Sequence, residues 1–284
     1  MTTRLMFLGP KRLLDSVVAL KFDYMLNPKP DCTYIHCQLP EGFTEEDLFA
    51  LYERFDIDCK SITLKHDADF LKPYNEKYDV NEFGNWIKQQ LIKFLAIENC
   101  NDDYILVQDC DTALLEPYSY FVNGQPNLLA IAHESHAVEY YEYIVKFLNI
   151  QRQTENCFVT EFMPVLKQDW QAMTACIEQI HGTDWLSAII NQFRQDLRPN
   201  MYLWFSEYEL LGNWLLFCNR NTTMTQQLRF NVLDADALLV KDRTLDIIDP
   251  IINAVGLKTE HVGLTESDIK YIIEIIQKAI DTKR

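Results

Sequence analysis

The sequence predicts an α/β fold built around a parallel, doubly wound sheet. In its first part, short apolar runs alternate with helical patterns in the order strand, helix, strand, helix, strand, an order typical of parallel sheets. A later unbroken run of apolar and aromatic residues, 104–107, suits a strand that is buried on both faces. Hydrophobic residues make up 48% of the 284, enough for a substantial core. In such sheets ligands bind outside the carboxyl ends of the strands, so we expect the functional site there.

The first five elements follow directly from the apolar pattern and the turn residues. The sequence predicts strands at Arg4–Leu8, Thr33–Cys37 and Ser61–Leu64, and helices at Arg12–Tyr24 and after Thr44. Thr44 can cap the second helix, and the acidic residues that follow it match the positive end of the helix dipole.

Residues 66–84 are mostly polar and predict a loop. This segment contains Asp67 and Asp69, a pair of aspartates that does not follow a comparably apolar strand. We therefore interpret the pair as solvated. A strong helix is predicted next, at Asn85–Ile97, because its apolar residues recur at helical spacing.

Trp86, Gln90 and Lys93 follow one another on this helix at spacings of four and three residues, so they share one face beside the apolar stripe. A glutamine and a lysine in that position could reach a diphosphate or the hydroxyl groups of a sugar. They could equally form the solvent-facing edge of an amphipathic helix. The pattern leaves both interpretations open.

Asp109 and Asp111 stand one residue apart where the buried run at 104–107 ends. Two carboxylates so close together are costly to ionise unless a cation joins them. Hard oxygen ligands on a loop suit Mg²⁺ or Mn²⁺, which often bridge to the phosphates of a substrate. The pair predicts a site for a metal ion and a diphosphate, with a polar turn that caps a strand as the alternative.

Ser206, Glu207 and Glu209 open another helix. The spacing of Ser206 and Glu209 predicts a capping box, which gives Glu209 a structural role. Residues 210–217 are apolar almost all round, so this helix is expected to be buried with its acidic start facing a cavity. Glu207 is then a candidate general base, and a solvated first-turn acid is the alternative.

The remaining elements predict a single domain, 1–284, because no repeat or linker interrupts them. Thr265 and Asp268 form a capping box before a last helix with an isoleucine-rich face. The other expected elements are strands at Asn127–Ala132, Phe158–Leu166, Leu228–Leu233 and Leu238–Val240, and helices at Val138–Leu148, Trp170–Ile180, Trp185–Phe193 and Asp246–Val255.

Charge and hydropathy exclude several classes of protein. The formal net charge is −16 and no basic block is present before the last two residues, which argues against binding of nucleic acid. No apolar run reaches 18 residues, and the apolar part of the N-terminus is too short for a signal peptide. We therefore expect a cytoplasmic protein with no transmembrane segment, whose eight cysteines are reduced.

Three segments resemble motifs of a bacterial family of glycosyltransferases associated with capsule and lipopolysaccharide synthesis. Residues 84–93 match its Gly-x-Trp-x-x-Gln-Gln-x-x-Lys segment, residues 109–112 its Asp-x-Asp-Thr segment, and residues 206–209 its Ser-Glu-Tyr-Glu segment, in the same order. The resemblance implies a GT-A-like, Rossmann-type mixed sheet flanked by helices, with a helical C-terminal part. It also implies an enzyme that moves a sugar from a nucleotide-sugar donor to a saccharide or glycolipid acceptor.

The resemblance also implies roles for individual residues. Asp109 would lie near the ribose or the metal, and Asp111 would bind the Mn²⁺ or Mg²⁺ on the diphosphate. Trp86, Gln90 and Lys93 would line the donor pocket, and Glu207 would be the acid nearest the transfer centre. His261 resembles a late histidine that completes the metal site in some GT-A enzymes, although the usual His-x-x-Gly-x-x-Lys context is absent.

Some alternatives stay open. If transfer inverts the anomeric centre, Glu207 would take the proton of the acceptor hydroxyl; if it retains the centre, oxygens of the leaving group would serve instead. A lipid-linked acceptor would place the enzyme at the inner face of the membrane, yet no basic amphipathic helix is present to hold it there. A phosphatase of the haloacid dehalogenase type also begins its loop with Asp-x-Asp, but normally continues with Gly-Thr. A nonenzymatic carbohydrate-binding protein on the same fold is the third hypothesis, after the glycosyltransferase and the phosphatase.

Overall fold

We describe a computed structural model of the chain, covering residues 1–8, 13–114, 116–131, 139–196, 205–218, 222–227, 232–234, 256–258 and 265–283. His261, the strand expected at Leu238–Val240 and the helix expected at Asp246–Val255 lie outside the described residues.

Strands and helices alternate through the first half of the chain, as the sequence predicts. In chain order the strands are β1 (Thr2–Leu8), β2 (Leu26–Asn27), β3 (Cys32–Cys37), β4 (Ile62–His66), β5 (Tyr104–Asp109), β6 (Thr112–Leu114), β7 (Tyr118–Ser119), β8 (Phe121–Val122), β9 (Gln125–Ile131), β10 (Phe162–Leu166), β11 (Thr223–Gln227), β12 (Val232–Asp234) and β13 (Gly256–Lys258). The helices are α1 (Leu13–Lys21), α2 (Glu45–Glu53), α3 (Asp67–Tyr78), α4 (Asn85–Asn99), α5 (Glu139–Leu148), α6 (Lys167–His181), α7 (Trp185–Gln195), α8 (Glu207–Cys218) and α9 (Glu266–Lys283).

A five-stranded central sheet has the order β10-β5-β1-β3-β4. Its first four strands in chain order, β1, β3, β4 and β5, run parallel, and β10 pairs antiparallel with β5. The chain steps outward from β1 through β3 to β4, and then returns to place β5 on the other side of β1. The strand order therefore reverses between β1 and β5, and a crevice is expected outside their carboxyl ends.

Helices cover both faces of this sheet, so the predicted α/β fold with a mixed sheet is confirmed. One face of β1, carrying Leu5 and Phe7, packs into a core that α4 to α8 complete. The other face, carrying Met6 and Leu8, packs against α1, α2 and α9. Because successive residues of a strand point to opposite faces, a strand buried on both sides is apolar at consecutive positions, as β1 is over 5–8 and β5 over 105–107.

The loop expected at 66–84 is wrong for its first part, because residues 67–78 form α3. The polar composition concealed the helix: it buries only Leu71 and Tyr78 and contains Pro73. Acids in the first turn and apolar or aromatic residues at positions 71, 74 and 78 are the signals that could have revealed it. The strand before it, β4, lies at the sheet edge and is only partly buried, so its apolar signal is weak.

Other predictions held with shifted boundaries. The strand expected over 158–166 begins at Phe162, Thr44 caps α2, and the capping box at Thr265 is present. All eight cysteines are free thiols. Within the described ranges, no helix combines the length and apolar character needed to cross a membrane.

Candidate active site

Three side chains form a row across the carboxyl end of the sheet. Phe7 of β1 pairs in register with Asp109 of β5 on one side and with His36 of β3 on the other. Residues paired in this way point to the same face of a sheet. Asp109, Phe7 and His36 therefore lie side by side beneath the helices of that face, at the point where the strand order reverses.

Lys93 of α4 is a buried cation shared by two carboxylates. Its Nζ atom lies 2.7 Å from Oδ1 of Asp109 and 2.5 Å from Oε1 of Glu207, and it donates to the hydroxyl of Tyr208 at 3.2 Å. Burial alone lowers the pKa of Lys93, but the charges of Asp109 and Glu207 outweigh burial and raise the pKa above its ordinary value. Lys93 thus joins the end of β5 to the start of α8.

Glu207 begins α8 and is buried at the same junction, with 3% of its surface exposed. Its backbone N–H donates to Oε1 of Gln90 at 3.0 Å, which ties α8 to α4. Burial raises the pKa of the Glu207 carboxyl, although the charge of Lys93 opposes the shift. A carboxyl group with a raised pKa in the wall of a cleft has the properties of a general base.

Ser206 caps α8 as its spacing with Glu209 predicts, and the Glu209 carboxylate binds other groups in the core. The hydroxyl of Ser206 accepts a hydrogen bond from the backbone N–H of Glu209 at 3.3 Å. The Glu209 carboxylate accepts from the backbone N–H of Phe158 at 2.9 Å and from the side-chain amide of Asn213 at 3.2 Å. Glu209 therefore holds the loop before β10 against α8, while Glu207, two residues earlier, faces the cleft.

Asp111 lies in the turn between β5 and β6, buried in the cleft wall with 6% of its surface exposed. The turn is fixed by the backbone N–H of Asp109, which donates to the carbonyl of Glu161, and by that of Cys110, which donates to the carbonyl of Phe7, both at 3.1 Å. The two aspartates therefore reach the same cleft, as their position after β5 predicted.

Glu161 is a cleft residue that the sequence did not reveal. Its φ is +64°, in the left-handed region that residues other than glycine seldom adopt, and its carboxylate accepts a hydrogen bond from the hydroxyl of Thr112. Strain of this kind concentrates at functional sites. No local signal identifies it, because the surrounding apolar residues read as a continuous strand.

Asp67 and His36 extend the cleft toward β3 and β4. Asp67, interpreted as solvated from the sequence, instead lines the cleft as the first residue of α3. Burial raises the pKa of its carboxyl to about 6, against the opposing charges of Lys88 and His66. His36 is 3% exposed, and burial lowers its pKa to about 4, so its ring is neutral at physiological pH.

These residues enclose a cleft of about 440 Å³. Its lining in the described structure includes five carboxylates and two lysines: Asp67, Asp109, Asp111, Glu161, Glu207, Lys88 and Lys93. Because Lys93 is already paired with two of the carboxylates, the cleft carries an excess of negative charge. A diphosphate could bind there only together with a cation.

The residues implied for the donor pocket all line this cleft. Trp86 is 41% exposed at its rim and donates from Nε1 to the carbonyl of Phe205 at 3.3 Å. Gln90 and Lys93 are buried rather than placed on a solvent-facing edge. Nε2 of Gln90 is buried and has no hydrogen-bond partner in the described part of the chain, so it is available to a ligand.

Asp109 and Asp111 suit a magnesium or manganese ion by their chemistry. Mg²⁺ usually takes one or two carboxylates from the protein and completes its shell with water and substrate phosphates. Over the described residues, no group of three or more histidine, cysteine, aspartate or glutamate side chains is arranged to hold a metal ion by itself. The chemistry of the two aspartates fits Mg²⁺ or Mn²⁺ as part of its ligand shell.

Removal of the Asp67 charge is expected to stabilise the protein. A carboxyl group whose pKa is raised from 3.8 to about 6 in the folded state stabilises it fully below pH 4 and loses that contribution as the pH rises through 6. Asp67→Asn should therefore raise the free energy of unfolding at pH 7 by roughly 2 kcal/mol and change it little at pH 4. Urea denaturation at the two pH values measures this, and an equal effect at both would contradict it.

Comparison with known families places most of the cleft residues within one family match. A family model described as a family of unknown function (DUF6492) matches residues 67–242, which is more than half of the chain. The chain belongs to this family. Within the DUF6492 match lie Asp67, Lys93, both aspartates of the turn and Glu207, whereas His36 and His261 fall outside it. Comparison with curated proteins finds no match.

Three solved structures that resemble this DUF6492 member are glycosyltransferases. The bifunctional glycosyltransferase WbbM in its apo form has a TM-score of 0.53 at 9% identity, over 100% of this chain and 51% of the WbbM chain. The galactosyltransferase LgtC, in complex with donor and acceptor sugar analogues, has a TM-score of 0.47 at 10% identity, over 99% and 95% of the two chains. An active-site mutant of LgtC has 0.48 at 11% identity, over 97% and 95%. At these identities the likeness to WbbM is one of fold.

Proposed function

We propose that this protein is a metal-dependent glycosyltransferase that moves a sugar from a nucleotide-sugar donor to a saccharide or glycolipid acceptor in the synthesis of cell-surface polysaccharide. The observation that carries the proposal is the convergence of Asp109, Asp111 and Glu207 in one cleft at the point where the strand order reverses. The three come from two distant segments of the chain. The fold shared with WbbM supports the proposal without defining the reaction.

The donor would bind with its diphosphate beside Asp109 and Asp111. A divalent cation held by these carboxylates would neutralise the nucleoside diphosphate as it leaves. Lys93 would not contact the phosphates directly, because its ammonium group is paired with Asp109 and Glu207. Its contribution would be to hold these two carboxylates in place, and Gln90 would offer its unpaired Nε2 to the donor.

Glu207 would act on the acceptor. In an inverting transfer its carboxylate would remove the proton of the attacking hydroxyl group, and its raised pKa would make it a stronger base than an exposed glutamate. The ion pair with the Lys93 ammonium, and the hydrogen bond from the backbone N–H of Glu207 to Gln90, would fix the orientation of Glu207. The excess of carboxylates in the cleft makes a free anion a poor ligand and a metal–diphosphate complex a favourable one.

The experiment that tests this proposal is a calorimetric titration of nucleoside diphosphates and nucleotide-sugars, with and without Mn²⁺. We expect binding that requires the metal and that Asp111→Ala weakens roughly 100-fold, because it loses a charged ligand. The matched control is Asp103→Ala, since Asp103 is exposed just before the opposite end of the same strand. It should bind like the wild type.

Three results would overturn the proposal. Failure of every nucleotide to bind in the presence of Mn²⁺ would remove the donor site. Metal-dependent release of phosphate from phosphate monoesters, lost when Asp109 is replaced, would instead favour a phosphatase. Metal-dependent nucleotide binding with no turnover on any saccharide would favour a carbohydrate-binding protein.

A further inference from the structure

The side of the cleft formed by β3, β4 and α3 takes no part in the proposed binding of a metal ion or in proton removal by Glu207. Among the described residues, it is nevertheless lined by polar atoms without hydrogen-bond partners. Nδ1 of His36 and Oδ1 of Asp67 are both buried, and neither has a hydrogen-bond partner among the described residues. Both residues line the cleft. Buried polar groups are nearly always paired, so two unpaired groups at one end of a cleft indicate groups that a ligand completes.

His36 is held rigidly in this position. Its ring stacks on Phe7, with ring centres 5.2 Å apart, and meets the ring of Phe70 edge to face at 4.7 Å. These contacts fix the ring plane. Because the imidazole is neutral, one ring nitrogen carries a proton and the other does not. Nδ1 in its protonated form would donate a hydrogen bond to a carbonyl oxygen.

Asp67 supplies the opposite kind of group. It follows His66, and β4 pairs with β3 so that Lys65 is opposite His36 and His66 opposite Cys37. Asp67 therefore begins its helix at the neighbouring strand end, close to the row formed by Asp109, Phe7 and His36. An ionised carboxylate only accepts hydrogen bonds, so its unpaired Oδ1 calls for an N–H or O–H of the ligand.

We infer that His36 and Asp67 form the subsite that reads the nucleobase of the donor, and that this base carries a carbonyl group next to a ring N–H, as uracil, thymine and guanine do. The inference rests on the proposed function. His36 would donate to the carbonyl, and Asp67 would accept from the N–H. In the same pose, cytosine and adenine would set an amino group against Nδ1–H of His36 and an unprotonated ring nitrogen against the Asp67 carboxylate, so neither contact would form.

The separation between the two halves of the cleft suits such a donor. Asp109 and His36 lie on strands separated by β1, so their backbones are two strand spacings, roughly 10 Å, apart. A nucleoside placed along the row would put its base at His36 and Asp67 and its diphosphate at Asp109 and Asp111. Phe7, between them, offers an apolar surface beneath the nucleoside.

The test is titration of the full chain with UDP, dTDP, GDP, CDP and ADP in the presence of Mn²⁺. We expect the first three to bind at least about tenfold more tightly than CDP and ADP, because the wrong base leaves buried polar groups unpaired. Asp67→Ala should weaken UDP, dTDP and GDP about tenfold and leave CDP and ADP within about twofold. His36→Phe, which keeps an aromatic ring against Phe7, should have the same effect.

The matched control is Asp69→Ala, in the same turn of α3 but exposed, which should change none of the five affinities. Circular dichroism shows whether each variant is folded. If CDP or ADP binds as tightly as UDP and GDP, or if folded Asp67→Ala and His36→Phe keep the wild-type preferences, the subsite is wrong while the proposed function stands. If none of the five binds, both fall.

Discussion

Glutamine in place of Glu207 is expected to lower turnover about 100- to 10,000-fold while the protein stays folded. The amide keeps an oxygen that can accept from Lys93, but it cannot remove the proton of an acceptor hydroxyl, and general base catalysis typically contributes that factor. The measurement is the rate of nucleoside diphosphate release, with the donor that the titrations select and saccharides as acceptors. Donor affinity should change little, because Glu207 is expected to act on the acceptor.

Glu209→Gln is the control for this prediction. Glu209 lies two residues further along α8 and is equally buried, but its carboxylate binds the backbone of Phe158 and does not line the cleft. Its variant should keep turnover within about threefold and lose some stability. A loss below tenfold in Glu207→Gln would contradict a role as the base and would favour a retaining transfer, in which oxygens of the leaving group serve.

Alanine in place of Gly212 is expected to destabilise the protein by about 3 kcal/mol or more. A Cβ atom at position 212 would lie 2.4 Å from two ring carbons of Phe158, well inside contact distance. Phe158 is fully buried, so its ring has little room to move, and overpacking of such cores typically costs 1–3 kcal/mol and at times more. Urea denaturation measures the loss, which is a large part of a typical stability of about 5–15 kcal/mol.

Gly84→Ala is the matched control, since a Cβ atom there meets nothing within 4 Å. It should change the free energy of unfolding by less than about 1 kcal/mol. Phe158→Leu combined with Gly212→Ala should be less unstable than the sum of the two single variants, because a smaller side chain admits the added methyl group. A stable Gly212→Ala would show that the ring moves freely, and additive losses would show that the cost does not arise from contact with Phe158.

The packing at Gly212 also bears on the site. Phe158 begins the stretch that leads to Glu161, whose carbonyl accepts from the backbone of Asp109. The short segment from Phe158 to Glu161 therefore connects the contact with α8 to the turn at Asp109. We therefore expect a variant that pushes Phe158 away from α8 to weaken nucleotide binding as well as stability.

Much of the fold could be predicted from local pattern. The strand ending at Asp109 was readable because a strand buried on both faces is apolar without interruption. The helix that carries Gln90 and Lys93 could be predicted because its apolar residues recur at helical spacing. By contrast, α3 was missed because it lies beside an edge strand and buries little apolar surface, so its sequence is nearly as polar as a loop.

The sequence likewise indicated some residues of the candidate site and not others. Asp109 and Asp111 could be selected because they lie one residue apart in the sequence. Glu207 could be selected because the spacing of Ser206 and Glu209 gives Glu209 a capping role and leaves Glu207 without one. The pattern left open whether Gln90 and Lys93 faced solvent, and the structure buries both. The pattern led us to interpret Asp67 as solvated, and it did not place His36 or Glu161 in this cleft.

The sequence by itself thus determined most of the helices and strands around the site and the two aspartates at a strand end, although not α3, because burial and turn chemistry act between near neighbours. Only the tertiary structure decided which groups share the cleft. Lys93 meets Glu207 across 114 positions of the chain, and His36 and Asp67 come together through the pairing of two strands. Such contacts depend on how strand ends and helix starts converge, and no local pattern of residues records that convergence.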